Sequence, residues 1–344
     1  MRATRAPAVN PSRLLELIDR FRKVRVVVFG DLIVDEFIYG EIARVSREAP
    51  VLILNYDSTE IVPGGAGNAA NNVAALGGTV TAVGFAGRDE TGRRLIETLR
   101  RHVNVRSVIR PSGLRTPTKT RILAGGIHSA KQQVVRIDRA SIAPVSDREM
   151  RAIRSGLIKA AARCNALLVS DYGGGAVSPQ LVADATRALR RRGQVTPPVL
   201  VDSRYSLLRY RGMTTCTPNE SEVEQLLGVR IGDNTRVLER AGRELLRRTR
   251  TDAVLITRGS RGMALFEPDR HTVHIPIYGS DQIADVTGAG DTVIATMTLA
   301  LAAGSSFLEA AQLANYAGGL VVMKRGTATV SADELRAAVL SDRD

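Results

Sequence analysis

Short runs of β-forming residues recur along this chain, and each run ends at a glycine or a polar residue. The runs cover residues 24–29, 79–83, 166–169, 199–201, 214–217 and 253–256. Helical patterns flank them, at 11–22, 67–76, 90–101, 147–163, 178–192, 220–227 and 235–250. Because parallel strands need helical crossovers and are buried on both faces, this alternation predicts an α/β fold with a mostly parallel sheet between two layers of helices.

The polar residues that follow these runs are candidates for one binding crevice. In open parallel sheets, ligands bind at the carboxyl ends of the strands. Polar side chains stand just after or close to the ends of the runs: Asp31, Asp171, Asp202, Asn219 and Thr257. We therefore expect these side chains to line a common site.

Length and composition predict a soluble chain that can form one large α/β domain or two ordinary ones. The 344 residues are 44% hydrophobic, enough to bury a sizeable core. The longest uncharged apolar run, 292–303, is too short to cross a bilayer and is typical of a buried core helix. The N-terminal residues lack the apolar segment of a secretion signal, which favours a cytoplasmic protein with no membrane partner. We expect one domain over 11–340, with 1–10 and 341–344 disordered.

The net charge of +13 has two interpretations. A basic chain attracts phosphate backbones, but binders of single-stranded nucleic acid add aromatic side chains on which bases stack, and aromatics make up only 4% here. The arginines are spread along predicted helices, as at 190–192 and 247–248. We favour a solvated cationic surface and an anionic small substrate over a specific nucleic-acid partner.

The stretch 285–291 (Asp-Val-Thr-Gly-Ala-Gly-Asp) comes immediately before the apolar run at 292–303. Backbone amides at a helix start bind anions, and Gly288, Ala289 and Gly290 would present them. Asp291 would repel a resting anion, but it suits a base that takes a proton from a hydroxyl attacking a phosphoryl group. The alternative is an ordinary first-turn carboxylate, which the helix dipole also favours.

A second glycine-rich stretch, 63–68, precedes a helix of small residues. Taken alone, Gly65, Gly67 and Ala70 match a dinucleotide-binding fingerprint. That interpretation needs a strand directly before the glycines, and a proline stands there instead. The context therefore disfavours a nicotinamide-dependent dehydrogenase.

Together these stretches resemble the ribokinase-like (pfkB) carbohydrate kinases over about residues 20–335. The stretch 285–291 matches the C-terminal signature of that family, and 64–68 matches its Gly-Gly…Asn sugar-binding motif. The resemblance implies a ribokinase-like three-layer α/β/α fold with a mostly parallel central sheet. It also implies a small β-lid, inserted at about 36–62 and 117–138, through which two subunits form a homodimer.

The resemblance further implies roles for particular residues. ATP would be the co-substrate and Mg²⁺ the metal, with K⁺ as a further candidate. Asp291 would be the catalytic base, with Gly288, Ala289 and Gly290 as the anion hole. The implied sugar-binding residues are Asp31, Asp35, Gly64, Gly65, Asn68 and Asp171. The implied nucleotide-binding residues are Asn219, Thr257, Gly259, Gly262 and Asn315. Asn219 and Glu222 would hold Mg²⁺ largely through water, as magnesium keeps much of its hydration shell.

Two of these positions also have plain structural interpretations. The stretch 217–222 predicts a helix start, with Thr217 as N-cap, Pro218 as the first helical residue and Glu220 completing a capping box. That arrangement leaves Asn219 and Glu222 on one helix face. Asp35 has the alternative of an ordinary helix cap.

Within the family, the chain is most similar to kinases that act on D-glycero-D-manno-heptose 7-phosphate. That similarity rests on the stretches 30–35, 44–51, 63–66, 132–138, 170–172, 209–212, 217–219 and 285–291. The acceptor's own phosphate would be held by basic residues of the lid strands or of a strand end. The candidates are Lys119, Arg121, Arg136 and Arg204, and the alternative for each is ordinary surface charge.

The chain departs from those kinases at two places near the expected phosphates. Gly173, Gly174 and Gly175 stand where the heptose kinases carry a loop lysine, and 202–204 (Asp-Ser-Arg) replaces Asp-Pro-Lys. Arginine keeps the charge but places it differently from lysine. The alternatives are therefore a kinase of the same family for another sugar, sugar phosphate or nucleoside, and a non-catalytic sugar-phosphate-binding protein.

Overall fold

The computed structural model describes residues 9–125, 131–140, 145–190, 196–279, 285–324 and 326–342. Its strands confirm the predicted α/β class. In chain order they are β1 Arg25–Gly30, β2 Leu32–Val45, β3 Leu52–Gly65, β4 Thr79–Phe85, β5 Asn104–Ile109, β6 Thr118–Gly125, β7 Gln132–Arg139, β8 Ala166–Asp171, β9 Val199–Ser203, β10 Thr215–Cys216, β11 Ala253–Thr257, β12 Met263–Phe266 and β13 Val273–Ile275.

The main sheet has nine strands in the order β13-β12-β11-β10-β9-β8-β1-β4-β5. Seven of them, from β11 to β5 in that order, pair in parallel. The edge hairpin β12–β13 runs antiparallel to β11. Because the parallel strands all end at the same edge, their carboxyl ends meet there, as the positions of the polar residues predicted.

Helices cover both faces of the main sheet. They are α1 Pro11–Arg20, α2 Ala66–Ala75, α3 Glu90–Leu99, α4 Asp147–Ala161, α5 Pro179–Arg190, α6 Glu220–Leu227, α7 Thr235–Thr249, α8 Ala289–Ala302, α9 Phe307–Val322 and α10 Ala332–Ser341. Strand β1 shows the division, since alternate side chains of a strand point to opposite faces. Val26 and Val28 pack with α1, α2, α3, α8, α9 and α10, whereas Val27 and Phe29 pack with α4, α5, α6 and α7. The three-layer prediction is confirmed.

Helix α8 is buried on every side through most of its length. Residues 291–300 are all buried, and apart from Asp291 and three threonines they are apolar. A helix that is apolar all round belongs in a core, as the sequence predicted for 292–303. Among the described residues, no helix combines the length and apolar character that a membrane crossing requires.

A second, four-stranded sheet lies at the carboxyl edge of the first, in the order β3-β2-β6-β7. Strand β2 begins only two residues after β1 ends, so the chain passes directly from one sheet into the other. The four strands include most of 36–62 and 117–138, the segments predicted to form a lid. We refer to this second sheet as the lid. Asp35 pairs with Lys119, and Phe37 pairs with Arg121, in the β2–β6 register. Asp35 is therefore a strand residue and not a helix cap.

The start of α6 differs from the prediction. Asn219, not Thr217, is the N-cap: its Oδ1 accepts from the Glu222 amide at 2.9 Å, and Glu222 accepts from the Asn219 amide at 2.9 Å. The reason is long-range, because the Pro218 carbonyl accepts from the Thr257 amide and thus extends the sheet pairing to that point. Glu220 consequently points elsewhere and pairs with Arg258 at 2.8 Å.

The chain ends differ in part from the expected disorder. Asn10 caps α1 by accepting from the Ser12 amide at 3.0 Å, so residues 9–10 belong to the folded domain. Ser341 is the last residue of α10, and Asp342 accepts from the Tyr316 hydroxyl at 2.5 Å. Residues 1–8 and 343–344 lie outside the described residues.

Candidate active site

A cavity of about 440 Å³ opens at the carboxyl edge of the main sheet, between the lid and the first turn of α8. Strand ends supply Asp171, Asp202 and Thr257, the lid supplies Asp35 and Lys119, and α6 supplies Glu222. Of the predicted site residues, the cavity is lined by Asp35, Gly65, Lys119, Arg121, Asp171, Arg204, Asn219, Glu222, Thr257, Gly288, Gly290 and Asp291. Four of the five residues predicted from the strand ends share this wall, and Asp31 lies in an adjoining cavity.

Helix α8 begins beneath this cavity with unpartnered amides. Gly288 is the N-cap in the left-handed region at φ 79°, and no side chain caps the helix. The Ala289 amide donates to the Val286 carbonyl at 3.2 Å, but those of Gly290 and Asp291 have no backbone acceptor within the described residues. A Cβ on Gly290 would meet open space. These features fit the predicted anion site, in which backbone amides and the helix dipole attract negative charge.

Asp291 lies in the first turn of α8 and is 4% exposed. Its Oδ2 accepts from Asn68 Nδ2 at 2.8 Å, and its Oδ1 accepts from the Tyr172 hydroxyl at 3.3 Å. Burial raises its pKa to about 7, with the Asp35 charge adding to the increase and the hydrogen bonds and Lys119 opposing it. A base whose pKa lies near the working pH combines adequate ionisation with strong proton affinity.

Asp35 faces the cavity from strand β2 of the lid. Arg121 donates to its Oδ1 at 2.5 Å, and Thr327 donates to its Oδ2 at 3.5 Å. The neighbouring Gly64 leaves room for this carboxylate, because a Cβ there would lie 2.3 Å from Oδ2. Asp35 is thus accessible to a ligand and already neutralised by a lid arginine.

Asp31 and Asp171 both hold backbone in place. Asp31 is 5% exposed and accepts from the amides of Tyr172, Gly174 and Ala176 at 2.8, 2.9 and 3.3 Å. Asp171 accepts from the hydroxyls of Ser203 and Tyr210 at 2.8 and 2.7 Å. Sequence reasoning gave both residues a sugar-binding role, which stays a prediction, whereas the contacts described here fix the glycine loop and the ends of β8 and β9.

Acidic side chains outnumber basic ones in this cavity. Its carboxylates are Asp35, Asp171, Asp202, Glu222 and Asp291, against Lys119, Arg121 and Arg204. Burial raises the pKa of Asp202 well above its usual value, and the charges of Glu222 and Asp291 add to the effect. Burial also raises the pKa of Glu222. A hydrated divalent cation would relieve this excess of negative charge. Among the described residues no three acidic side chains stand close enough together to hold a metal directly, so the site fits Mg²⁺ only with much of its water shell kept.

One further polar atom in the cavity wall lacks a hydrogen-bond partner among the described residues. The Thr217 hydroxyl is buried, and it has no hydrogen-bond partner within the described residues. An unpaired buried hydroxyl costs free energy unless a ligand or water satisfies it. It therefore adds a donor to the part of the cavity beside Asn219.

The predicted nucleotide residues fall into two groups. Asn219 and Thr257 line the cavity and bridge α6 to β11. Gly259 and Gly262 form the turn between β11 and β12 at φ 58° and 73°, outside the cavity lining. Asn315 is buried in α9 and donates to the Pro276 carbonyl at 2.9 Å, so its amide supports the chain after β13.

A second cavity of about 340 Å³ adjoins the first, and it is rich in cations. Its basic residues are Lys119, Arg136, Arg139 and Arg204, and it shares Lys119, Tyr172 and Arg204 with the first cavity. Arg136 forms a paired contact with Asp138 at 2.9 and 3.0 Å. Lys119 stands 4.8 Å from the centre of the Tyr172 ring, and burial lowers its pKa.

Sequence reasoning gave no site role to Tyr172. The residue connects three parts of the site: its amide donates to Asp31, its hydroxyl donates to Asp291, and its ring lies under Lys119. Its position immediately after the strand-end Asp171 was the available signal. The contacts themselves depend on the packing of three separate segments.

Comparison with known proteins agrees with this geometry. Residues 24–334 match the family described as pfkB family carbohydrate kinase. A protein of Geobacter metallireducens, described as the bifunctional protein HldE, is 42% identical over 316 residues. That alignment covers 91% of this chain and 62% of the relative, so the chain spans less than two thirds of that relative's length.

Solved structures share the fold at low sequence identity. Ribokinase from Arabidopsis thaliana, in complex with ribose and ATP, is 20% identical with a TM-score of 0.68, over 92% of this chain and 98% of that one. Phosphofructokinase-2 from Escherichia coli, in complex with potassium, is 19% identical with a TM-score of 0.73, over 93% and 100%. At these identities the similarity establishes the ribokinase-like fold.

Proposed function

Because this chain belongs to the pfkB family of carbohydrate kinases, we propose that it phosphorylates D-glycero-D-manno-heptose 7-phosphate at the anomeric hydroxyl, with ATP as donor. The product would be the 1,7-bisphosphate, a precursor of ADP-heptose and lipopolysaccharide. One observation carries the choice of acceptor: the cavity that contains Asp291 shares a wall with a cationic cavity of about 340 Å³. A sugar phosphate spanning both would place its phosphate among cations and its reacting hydroxyl at the carboxylate.

Asp291 supplies the base in the proposed step. Its carboxylate takes the proton of the anomeric hydroxyl as that oxygen bonds to the γ-phosphorus, while the bond to the β,γ-bridging oxygen breaks and ADP leaves. The amides of Gly290 and Asp291 face the charge that develops on the transferred group. The lid restricts water, which would otherwise accept the phosphoryl group.

Mg²⁺ would be held by Glu222 and Asn219, largely through water, with Asp202 as a further carboxylate of the same wall. The ion supplies charge neutralisation for the phosphates of the nucleotide. Glu222 already accepts from the Asn219 amide, and this hydrogen bond fixes the orientation of its carboxylate. Thr257, Gly259, Gly262 and Asn315 are the remaining proposed nucleotide residues. K⁺ is a further candidate, because one solved relative is in complex with potassium.

Asp35 is the proposed contact to the sugar hydroxyls, with Gly64 and Gly65 giving the sugar close access to the backbone. Asn68, the other predicted sugar ligand, lines neither cavity and donates to Asp291 instead. Asp35 now pairs with Arg121, so a sugar that hydrogen-bonds Asp35 shares it with a cation. Lys119 and Arg204 line both cavities and are the proposed phosphate ligands, with Arg136 at the far wall. The partners we propose are small molecules only, with no nucleic acid, and ATP consumption favours a cytoplasmic location.

Another sugar phosphate is the second candidate acceptor. The loop of Gly173, Gly174 and Gly175 carries no side-chain charge, and Arg204 extends from a strand end where the heptose kinases place a lysine. Both features alter the rim of the cationic cavity. A panel of sugars and sugar phosphates in an ATP-consumption assay, run with and without K⁺, distinguishes these acceptors from one another and from a non-catalytic binding protein.

We also propose that two subunits pair through the lid. Eight large apolar side chains of the lid are 40–67% exposed: Ile42, Val45, Val51, Leu52, Tyr56, Val134, Val135 and Ile137. Every residue of the edge strand β7 is exposed. Exposed apolar side chains concentrated in one small sheet favour an interface, and a second copy of the same sheet is a matching partner.

The role of the base is tested by Asp291→Asn. The amide keeps the shape of the side chain but cannot take a proton, so kcat should fall by roughly 10²–10⁴-fold. Binding of ATP, measured by calorimetry, should persist. In the wild-type enzyme kcat should fall as the pH drops below about 7, since the pKa of Asp291 is raised to about 7 and only the ionised form acts as a base. Turnover of Asp291→Asn near the wild-type rate contradicts the assignment.

The anion hole is tested by Gly290→Val. The new side chain meets open space within the protein, so the unfolding temperature should stay close to that of the wild type. It would occupy the position of the transferred phosphoryl group, and activity should drop at least 10²-fold. Gly156→Ala, in helix α4 and far from the site, serves as a folding control, since its new Cβ makes only ordinary contacts. Full activity in folded Gly290→Val shows that the turn is only structural.

The acceptor phosphate is tested by alanine at Lys119, Arg121, Arg136 and Arg204 in turn. Loss of one charge-assisted contact should raise KM for the sugar phosphate about tenfold or more, and KM for ATP should stay nearly constant. Lys131→Ala is the matched control, because Lys131 belongs to the lid but lines neither cavity. If all four leave KM unchanged, or the enzyme prefers an unphosphorylated sugar, the acceptor is wrong and the general kinase assignment stands.

The dimer is tested by Val135→Glu. A charge in the apolar lid surface should shift the protein towards monomer in sedimentation equilibrium, because burying an unpaired carboxylate at an interface is unfavourable. Val229→Glu is the control, since Val229 is an exposed apolar residue outside the lid. A wild-type protein that is monomeric at micromolar concentration refutes the proposal.

A further inference from the structure

Helices α2 and α8 meet at a row of buried polar side chains, and one of them, Asn68, hydrogen-bonds Asp291. Asn68, Asn72 and Thr292 are 1%, 0% and 0% exposed. Asn72 follows Asn68 by one turn of α2, and Thr292 follows Asp291 in α8. Burying three polar side chains in a core is costly unless each hydrogen bond is made. The hydrogen bonds between them form a chain whose last member, Asn68, donates to Asp291.

The orientation of each amide in this row follows from one backbone carbonyl. Asn72 Nδ2 lies 3.0 Å from the carbonyl oxygen of Asn68, which can only accept, so this end of the Asn72 amide must be the N–H end. Asn72 Oδ1 consequently faces Thr292, whose hydroxyl donates to it at 2.9 Å. Both ends of the Asn72 side chain are thereby fixed.

The same constraint passes to Asn68. Asn72 Nδ2 also lies 3.0 Å from the side-chain oxygen of Asn68, so this oxygen must face Asn72 as the acceptor. Asn68 Nδ2 is left to face Asp291, and it donates to Oδ2 at 2.8 Å. The carbonyl of Gly288 lies 3.4 Å from the same nitrogen and is again a pure acceptor. No other arrangement satisfies all of these atoms.

We propose that Asn72 and Thr292 are positioning residues that lock the Asn68 amide with its N–H towards Asp291, so that the catalytic carboxylate can hold a proton only on Oδ1. Oδ2 faces a fixed donor and cannot become an O–H group without two donors meeting. Oδ1 faces the Tyr172 hydroxyl on the cavity side. The inference rests on the proposed function, since it concerns the proton that Asp291 takes during phosphoryl transfer.

The lock matters most in the protonated state of the base. A free asparagine beside a protonated carboxyl can rotate and accept from it, and this hydrogen bond stabilises the acid form. A locked asparagine stabilises only the carboxylate. The lock therefore opposes the burial that raises the pKa of Asp291, and it directs the proton to the side from which a substrate hydroxyl approaches.

Other titratable groups also lie near Asp291, and the substitutions in the test leave them in place. They are Tyr172 from the loop after β8, Asp35 from β2, Lys119 from β6 and Asp202 from β9. None of them is in hydrogen-bond contact with Asn72. A substitution at Asn72 consequently changes the orientation of the Asn68 amide and leaves these charges where they are.

The test is the pH dependence of kcat in Asn72→Leu, measured with both substrates saturating. Leucine has the branched outline of asparagine, with two larger methyl groups in place of the amide, and cannot donate, so Asn68 gains freedom to rotate. The apparent pKa at which kcat falls on the acid side should rise by about one unit. At pH values below it, kcat should be about tenfold lower than in the wild type. At pH 9, where the carboxylate is ionised in both proteins, kcat should return to within about threefold of wild type.

Threonines of α8 provide matched variants. Thr292→Val removes the donor to Asn72 and should move the limb in the same direction by a smaller amount. Thr296→Val removes an equally buried hydroxyl one turn later, which donates to the Thr292 carbonyl, and the limb should stay in place. If Asn72→Leu does not fold, the comparison of the two threonine variants decides.

Two outcomes overturn the inference. One is a loss of kcat in Asn72→Leu that is equal at all pH values, which indicates a general disturbance of packing. The other is an unmoved limb in both Asn72→Leu and Thr292→Val. Asp291→Asn separates this failure from failure of the proposed function, because that variant reports on the base itself. If Asp291→Asn is inactive and the limbs of the Asn72 and Thr292 variants do not move, the proposed lock is refuted and the kinase assignment stands.

Discussion

The fixed position of the first turn of α8 is the constraint on which the site depends. Residues 291–300 are buried on all sides, so the helix can neither slide nor rotate without opening the core. Its N-terminus is thereby held at the carboxyl edge of the sheet, where Gly290 and Asp291 line the cavity. The carboxylate of Asp291 is desolvated by the same packing. The proposed anion site and the raised pKa of the proposed base thus have one structural cause.

Charge imbalance is the second property of the site. Asp202, Glu222 and Asp291 lie in one cavity, and burial raises the pKa of each. Such a cluster opposes folding, because buried carboxylates repel one another and lose their hydration. The Mg²⁺ ion proposed above would offset this repulsion, and binding confined to the folded state would add to its stability.

Sequence could predict much of the fold, because the relevant signals are local. A continuous apolar run followed by Asp171 or Asp202 predicts a buried strand and also places the carboxylate at its end. The first turn of α8 was predictable for the same reason. The start of α6 was not, because two potential caps stand two residues apart, and pairing of Pro218 with Thr257 selects the second. The contact of Asn72 with Thr292 and the contacts of Tyr172 join distant segments, and no spacing rule predicts them.

The glycine loop after β8 shows how one departure from the related kinases is accommodated. Asp31 accepts from three amides of this loop, so its backbone is fixed without any side chain of its own. A Cβ on Gly174 would lie 2.8 Å from the Asp31 carboxylate, so any side chain at that residue would require this carboxylate to shift. Positive charge at the second cavity comes instead from Lys119 and Arg136 of the lid and from Arg204. Two of these three cations belong to strands β6 and β7 of the second sheet and the third follows β9 of the main sheet, so both sheets contribute to the charge of this cavity.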